Sequence, residues 1–567
     1  MAQILTAIAF MLTLGAAMHA QTPSSPPADP FTDKVNQLFA QWDKPDLPGC
    51  ALAVMKNGQI VYQRGYGTAN LELSVPLTTA TVFNVGSIAK QFTAMSILLL
   101  AQQGKLSLDD DLRKYVPEVP DFGSPITLRH LIQHTSGLRD HWEMLEMSGW
   151  RNDDVHTEKD VLDMVSRQRT LNFKPGDEYS YSNTGYVLLA VVVKRASGQS
   201  LIEFTEANIF KPLGMTSTRF YDDHRSIIKG LANGYLPKEG GGFLKWMPAD
   251  DLLGANNLFT TIADLARWDG NFYEPKVGGN KLVEQMLTPG TLNNGEKLEY
   301  AFGLFVSPYK GLRAVHHTGA RLGYRAELIR FPGQRFSVAC LCNTRAIAPD
   351  TLARRVADIY LADHFTAAAG NPNNPINAVP NAVSISAAEM SNVAGLYWNP
   401  ATDNLRRMYV KDGQLMFARL PGSESALAPL GANRFQMLGV RNRIEIVFKS
   451  SRPNAPRQML LTVDGGKPSV HEPVVPASYT PRQLNEFAGA YHSPELNSTF
   501  SIATQGDKLL LRTGNWGEFA LTARFHDSFA NPEEFGSIMF TRGRRNIVTG
   551  FVLRSGKVKN LRFDKTP

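Results

Sequence analysis

The stretch Ser87-Ile88-Ala89-Lys90 opens an apolar segment that predicts a helix over residues 89–103. A spacing of three residues puts Ser87 and Lys90 on one face of that helix, within reach of each other. A serine at a helix N-terminus lies where free backbone N–H groups favour developing negative charge. A neighbouring lysine that loses its hydration gives up its proton more easily and can serve as a base. The pair therefore fits a serine nucleophile with a lysine beside it.

The tetrapeptide is not diagnostic alone, because Ser226-Ile227-Ile228-Lys229 has the same spacing. A second motif, Tyr181-Ser182-Asn183, lies in a polar loop before a helical pattern. Its phenol can relay protons, and its asparagine amide can orient a lysine or a substrate carbonyl. The third motif is His317-Thr318-Gly319-Ala320. Its glycine lets a substrate approach the backbone closely, and the Ala320 N–H can donate to an oxyanion.

The three motifs occur in one order within one predicted domain. Tyr181 follows Ser87 by 94 residues, and His317 follows Tyr181 by 136 residues. With this order the chain resembles the penicillin-recognising serine hydrolases, the family of class C β-lactamases and DD-peptidases. The resemblance extends over roughly residues 33–365. Four further stretches support it: residues 131–138, 173–176, 212–215 and 258–265.

The resemblance implies that Ser87 attacks a carbonyl and forms an acyl-enzyme that water later releases. Lys90 is expected to be the base, with Tyr181 sharing the proton, and the residues leave open which of the two takes it. Asn183 is expected to orient Lys90 and the substrate amide, and His317 to line the pocket. The expected oxyanion and substrate-binding residues are Ser87, Thr318, Gly319 and Ala320. No cofactor is expected.

Within that family the layout is most similar to D-aminopeptidases, which join the catalytic domain to two C-terminal eight-stranded barrels. Residues 138–142 and 491–496 resemble stretches of those enzymes. They carry His-x-Gly where β-lactamases carry Lys-Thr-Gly, and here that residue is His317. A permanent ammonium suits the carboxylate of a β-lactam or a D-Ala-D-Ala terminus better than a mostly neutral histidine does.

The predicted function is therefore a D-aminopeptidase-like or related peptidase that acts on short peptides or amides. An esterase, a DD-carboxypeptidase or a β-lactamase of the same family is the first alternative. A catalytically silent protein that binds wall peptides is the second. The sequence leaves the physiological substrate and the oligomeric state open, and a homodimer is one of the allowed states.

Residues 33–366 alternate strand-like and helical patterns. The run over residues 49–65 contains a Lys56-Asn57-Gly58 turn, which predicts a hairpin. Strand-like patterns return at residues 301–306 and 326–341. This arrangement predicts an α/β or α+β domain whose first and last strands share one sheet. The resemblance specifies an antiparallel sheet flanked by helices, with an all-helical region. Helical patterns cover residues 89–103, 158–168, 186–196 and 262–268.

An internal repeat follows a predicted linker at residues 367–384, which are rich in Ala, Asn, Pro and Gly. Residues 393–397 match residues 487–491, and residues 411–415 match residues 505–509, both at an offset of 94. The short alternating segments predict two small antiparallel barrels or sandwiches, at residues 385–478 and 479–567. The resemblance favours lipocalin-like barrels that wall or gate the active site. The alternative is that they only stabilise or anchor the protein.

The N-terminus predicts export to the periplasm or beyond the cell. Residues 4–17 form an apolar run of secretory length, and Ala20-Gln21 is the predicted cleavage point. Residues 1–20 are thus a predicted signal peptide and residues 21–32 a linker, with no stable membrane insertion after cleavage. The net charge is +7, but the Lys and Arg residues are scattered and form no basic tract. Nucleic acid is therefore not an expected partner.

The chain has three cysteines, and buried thiols are the favoured interpretation. Cys340 and Cys342 sit two apart in a strand-like run and so point to the same face. A bond from Cys50 to either of them stays open. His130 and His134 have zinc-ligand spacing, but the residues between them include no Glu, and no metal site is expected.

Overall fold

The computed structural model describes residues 30–365 and 382–567, apart from Pro421, Arg441, Ser451, Pro453, Asn454 and Pro532. The predicted signal peptide, residues 1–20, lies outside the described residues. So does most of each predicted linker, residues 21–32 and 367–384.

Eleven helices belong to residues 30–365, here called the N-terminal domain, and one short helix precedes each C-terminal barrel. They are α1 (Thr32–Phe39), α2 (Ala89–Gln102), α3 (Leu128–Ile132), α4 (His141–Met147), α5 (Glu158–Arg167), α6 (Asn183–Ser197), α7 (Leu201–Thr205), α8 (Lys211–Leu213), α9 (Ile262–Gly270), α10 (Gly279–Met286), α11 (Pro349–Tyr360), α12 (Ala387–Val393) and α13 (Pro481–Leu484).

Thirteen strands lie in the N-terminal domain. They are β1 (Cys50–Lys56), β2 (Gln59–Tyr66), β3 (Thr68–Asn70), β4 (Val75–Pro76), β5 (Phe83–Asn84), β6 (Arg219–Phe220), β7 (Tyr235–Pro237), β8 (Phe243–Lys245), β9 (Leu258–Thr260), β10 (Phe305–Tyr309), β11 (Leu312–Arg321), β12 (Tyr324–Phe331) and β13 (Phe336–Cys342).

The central sheet has six antiparallel strands in the order β10-β11-β12-β13-β1-β2. Strand β1 pairs with β13 along its whole length, with Cys50 opposite Cys342. The first and last strands thus share one sheet, as the sequence predicts. Helices α1 and α11 cover one face of the sheet, and the larger core around the apolar helices α2 and α6 covers the other.

The cysteines correct the favoured interpretation of three buried thiols. Cys50 and Cys342 form a disulfide, because their strands pair in the register that places them opposite each other. Cys340 stays a buried free thiol two residues away.

Two strand predictions differ from the structure. The pattern at residues 301–306 predicts a strand, but β10 begins only at Phe305. Gly303 has a φ of 74° and lies against the backbone of Lys90, so the chain turns there. The pattern at residues 326–341 is two strands, because the segment Pro332–Gln334 turns the chain between β12 and β13.

The two sequence repeats form two closed eight-stranded antiparallel barrels, which confirms the predicted fold class. Closure leaves neither barrel with an unpaired strand edge. Barrel one consists of β14 (Gly395–Trp398), β15 (Leu405–Lys411), β16 (Gln414–Leu420), β17 (Glu424–Gly431), β18 (Arg434–Met437), β19 (Ile444–Ser450), β20 (Arg457–Val463) and β21 (Ser469–Val474).

Barrel two consists of β22 (Gly489–Ser493), β23 (Ser498–Gln505), β24 (Lys508–Arg512), β25 (Glu518–Phe525), β26 (Ser528–Asn531), β27 (Gly536–Arg542), β28 (Val548–Ser555) and β29 (Val558–Lys565). The matched sequence motifs fall at equivalent places in the two barrels. One begins the first strand, and the other forms the hairpin between the second and third strands.

Barrel two packs on the N-terminal domain, and their apolar interiors form one continuous cluster. Arg139 is fully buried at the junction and makes an ion pair with the buried Glu495 of barrel two. The same guanidinium donates to the carbonyl oxygens of Lys559 and Asn560, each at 3.2 Å. In the described part of the chain, no helix combines the length and the apolar character of a membrane span.

Candidate active site

Ser87 lies in a tight turn, Gly86–Ile88, between strand β5 and helix α2. Residues 81–100 are all buried except Ser87, which is partly exposed. Its hydroxyl is therefore the accessible end of an otherwise enclosed segment. The decoy motif has the opposite character, because Ser226 and Lys229 are exposed and lie outside any helix or strand.

Lys90 is completely buried, and its Nζ has three hydrogen-bond acceptors. They are Ser87 Oγ at 3.0 Å, Asn183 Oδ1 at 2.9 Å and the Ala255 carbonyl oxygen at 2.9 Å. Burial lowers the pKa of Lys90 well below its usual range, although the charge of Asp140 partly opposes this shift. The neutral amine is thereby favoured, and in that form Nζ keeps two N–H groups for Asn183 and Ala255 and accepts the Ser87 O–H, as a base requires.

The Tyr181 side chain also hydrogen-bonds the Ser87 hydroxyl. Burial raises the pKa of Tyr181 well above its usual range, and the bond with Ser87 opposes that rise. The phenol therefore keeps its proton and can share or return one. Lys90 Nζ lies 5.0 Å from the centre of the Tyr181 ring.

Asn183 is fixed by a buried carboxylate. Asp140 Oδ2 accepts the Asn183 backbone N–H at 2.7 Å and its Nδ2–H at 3.0 Å. The other oxygen, Asp140 Oδ1, accepts from the Trp142 N–H at the start of α4. This arrangement aims the side-chain oxygen of Asn183 at Lys90 and leaves no free oxygen on Asp140.

His317 is buried in β11, where its ring is held at both nitrogens. Nδ1 lies 2.6 Å from the Thr318 carbonyl oxygen, and Nε2 lies 3.1 Å from the Tyr300 hydroxyl. A carbonyl only accepts, so Nδ1 carries the proton and Nε2 accepts from Tyr300. Burial and the nearby Lys90 lower the pKa of His317 to about 3. The ring is therefore neutral.

The strand β11 touches the Ser87 turn backbone to backbone. A Cβ on Gly319 would lie 1.9 Å from the Val85 carbonyl oxygen, and one on Gly86 would lie 2.6 Å from the Ala320 nitrogen. Only glycines allow this approach, which brings the Ala320 amide beside the turn that carries Ser87. Thr318 and Ala320 are exposed along the same strand. The arrangement fits a pair of amide donors from Ser87 and Ala320.

Barrel two adds a residue to this site. The turn between β28 and β29 places Lys557 Nζ 5.4 Å from the centre of the Tyr181 ring. Glu143 of α4 accepts the Lys557 backbone N–H at 2.5 Å. Asn172 donates to the Lys557 carbonyl oxygen at 2.7 Å and accepts from the Lys559 N–H at 2.8 Å.

Four residues at the site escape the sequence reasoning: Asp140, His134, Tyr300 and Lys557. Asp140 and His134 lie inside stretches that resemble the family, and that resemblance was the signal that could have assigned them to the site. His134 Nδ1 accepts the Ser182 N–H at 3.1 Å, and its ring packs 4.2 Å from that of Tyr181. Tyr300 and Lys557 lie in no recognised motif.

The sequence of the chain is similar to that of known proteins. A sequence model of the β-lactamase family matches residues 35–362. Penicillin-binding protein 4* of Bacillus subtilis (strain 168) is 34% identical over 316 residues, 53% of this chain and 69% of that protein. A D-aminopeptidase of Gluconobacter oxydans (strain 621H) is 29% identical over 354 residues, 62% of this chain and 64% of that protein. The match thus spans less than two thirds of that D-aminopeptidase.

Solved structures show the same fold. The octameric penicillin-binding protein homologue from Pyrococcus abyssi has a TM-score of 0.52 and 24% identity to this chain. It covers 78% of this chain, and the match takes in 99% of that protein.

Gly319→Ala tests the contact between β11 and the Ser87 turn. The added methyl group overlaps the Val85 carbonyl oxygen, so the Ala320 amide moves away from Ser87. Loss of one oxyanion donor is expected to lower kcat by about 10²–10³-fold. Gly333→Ala is the matched control, because a Cβ there meets nothing within 4 Å. An unchanged kcat in a folded Gly319→Ala protein would exclude the Ala320 amide from the site.

The pH dependence of kcat/KM tests the identity of the base. A base works unprotonated, so activity falls as pH falls through its pKa. The Asp140 charge raises the pKa of Lys90. Asp140→Asn is therefore expected to move the acidic limb of the profile to lower pH, whatever its effect on the maximal kcat/KM. An unmoved limb would contradict Lys90 as the base, because the Asp140 charge raises the pKa of that amine.

Proposed function

The chain belongs to the β-lactamase family and is a serine hydrolase, and we propose that it hydrolyses short peptides or amides through an acyl-enzyme on Ser87. The family inferred from the ordered motifs is thereby confirmed. One observation carries the assignment of the nucleophile. The buried Lys90 amine lies 3.0 Å from the hydroxyl of Ser87, the one partly exposed residue of its segment.

In the proposed reaction, Ser87 Oγ attacks the substrate carbonyl and its proton passes to Lys90, directly or through Tyr181. The Ser87 and Ala320 amides stabilise the oxyanion. Collapse of the tetrahedral intermediate breaks the C–N bond, and the proton returns through Tyr181 to the leaving amine. Water then attacks the ester, and Ser87 regains its proton as the acid product leaves.

Asn183 and His317 act in this reaction by holding other side chains in place. Asn183 holds Lys90 and is itself held by Asp140. The neutral His317 holds Tyr300 in place by a hydrogen bond. The Tyr300 ring contacts the Tyr181 ring, with the two ring centres 6.2 Å apart. Thr318 borders the substrate on the exposed face of β11, and the buried Gly319 keeps that strand against the Ser87 turn.

D-Amino-acid peptides and amides are the substrates that we propose first. The D-aminopeptidase relative and the two closed barrels support this choice. A neutral His317 in place of a permanent ammonium speaks against typical β-lactam hydrolysis. A DD-carboxypeptidase is the second candidate, because Lys557 brings an ammonium to the same site. Barrel two also supports a restriction of substrate size, since its β28–β29 turn borders Tyr181.

We further propose that the protein is exported to the periplasm or secreted. The secretory pattern of residues 1–20 supports this, and so does the disulfide, since disulfides persist in oxidising compartments. After expression in a secreting bacterial host, N-terminal sequencing of the mature protein is expected to begin at Gln21. An unprocessed chain that starts at Met1 and stays in the cytoplasm would contradict export.

Covalent labelling tests the nucleophile. A fluorophosphonate or β-lactam probe followed by peptide mass spectrometry is expected to place the adduct on Ser87. Ser87→Ala should abolish labelling and turnover, because no other hydroxyl is hydrogen-bonded to Lys90 in the described part of the chain. Ser226→Ala is the matched control from the decoy motif and should label like the wild type. An adduct elsewhere, or one that survives in Ser87→Ala, would refute the assignment.

A further inference from the structure

Lys557 is held at the site by a rigidly docked turn. Glu143 and Asn172 bind the backbone on both sides of it, and Arg139 donates to the neighbouring Lys559 carbonyl. Gly556 has a φ of 52°, and a Cβ there would lie 2.6 Å from a Glu143 carboxylate oxygen. A larger residue at this positive φ would be strained and would displace the Glu143 carboxylate, and the lysine that follows lies over the Tyr181 ring.

The Lys557 ammonium has no counter-ion of its own. Its Nζ lies over the Tyr181 ring, and no carboxylate of the described residues lies within ion-pair distance of it. The nearby Lys559 differs, because it binds Glu178 at 2.7 Å. Glu143 is the acid closest to the turn, and burial raises the pKa of Glu143 to about 7. It therefore offsets the Lys557 charge only in part near neutral pH.

Burial disfavours the charged form of three other basic groups at the site. Burial lowers the pKa of Lys90 and of His134 well below their usual ranges, and it lowers the pKa of His317 to about 3. Lys557 thus brings an amine from barrel two to a site whose His317 is neutral.

We propose that Lys557 binds a carboxylate of the substrate, so that the site selects peptides or amides with a free acid near the scissile bond. The proposal rests on the proposed Ser87 hydrolysis and names its substrate class. A substrate carboxylate beside the Tyr181 ring would pair with the Lys557 ammonium. The Ser87 hydroxyl is close to it, because Tyr181 hydrogen-bonds that hydroxyl. The hydrogen bonds that hold the β28–β29 turn fix the distance between Lys557 and the Tyr181 ring.

The acids around the site do not suit a substrate ammonium instead. Asp140 is occupied by Asn183 and Trp142, and Glu143 accepts from the Lys557 amide. Glu178 is paired with Lys559. A substrate amine beside Lys557 would meet no carboxylate to neutralise it, so the charge pattern places the acid end of the substrate, and not its amine end, beside Lys557.

The test compares two substrates that differ in one charge. Acetyl-D-alanyl-D-alanine and its C-terminal amide are assayed with the wild type, Lys557→Met and Lys557→Arg, beside D-alanyl-p-nitroanilide as the free-amine substrate. The wild type is expected to prefer the acid over the amide by about 10- to 100-fold in kcat/KM. Lys557→Met should bring that ratio near one, and Lys557→Arg should keep most of it. The ratio is independent of the folded fraction, so a merely structural role would not move it.

Lys508→Met is the matched control, because Lys508 is an exposed lysine of the same barrel at the turn between β23 and β24. It removes the same charge and should leave the ratio unchanged. Hydrolysis of the neutral p-nitrophenyl acetate reports on Ser87 separately. If that ester is cleaved but the wild type shows no preference for the acid, or Lys557→Met retains it, the Lys557 assignment is overturned and the hydrolase stands. Preference for D-alanyl-p-nitroanilide also overturns it. If the wild type cleaves and acylates nothing, the proposed function fails and the assignment falls with it.

Discussion

The amine of Lys90 is enclosed by protein, and three hydrogen bonds replace the water that it loses on folding. Burying an unpaired charge costs several kcal/mol, and the depressed pKa relieves that cost by favouring the neutral form. Each of the three acceptors comes from a different part of the chain: the Ser87 turn, the first turn of α6, and the loop that contains Ala255. Satisfying one amine therefore fixes three backbone segments relative to one another, and the arrangement of the site follows from it.

Barrel two completes this arrangement from outside the family domain. The Tyr181 ring lies between two lysines, with Lys90 Nζ 5.0 Å and Lys557 Nζ 5.4 Å from its centre. The Arg139–Glu495 pair holds the second lysine there indirectly. Breaking a buried ion pair by removing one partner costs about 3–5 kcal/mol, because the remaining charge is left buried. The buried pair therefore favours one alignment of barrel two on the N-terminal domain. The apolar cluster that crosses the junction makes barrel two part of the same folded body.

Local patterns predicted an α/β or α+β domain and the Ser87 helix, and the matched repeats predicted two small barrels or sandwiches. The family resemblance supplied the antiparallel sheet and the choice of barrels. They worked because hydrophobic periodicity and turn chemistry act over a few residues. The order of the motifs identified Ser87 over Ser226, a choice that the tetrapeptide could not make. Tyr300 and Lys557 were missed, since each reaches the site through a tertiary contact that leaves no trace in its own neighbourhood. The disulfide was left open for the same reason, because it depends on the pairing of β1 with β13.

The pairing of β1 with β13 also bears on how the chain is made. A ribosome delivers the first hairpin of the sheet long before its partner, since Cys50 and Cys342 are 292 residues apart. At about 5–20 residues per second, the exposed edge of β1 waits on the order of 15–60 s for the strand that covers it. During that interval a buried-type strand, Cys50–Lys56, is open to pairing with other chains. Until β13 is made, one edge of β1 is therefore unpaired, whereas in the finished sheet β13 and β2 cover both of its edges.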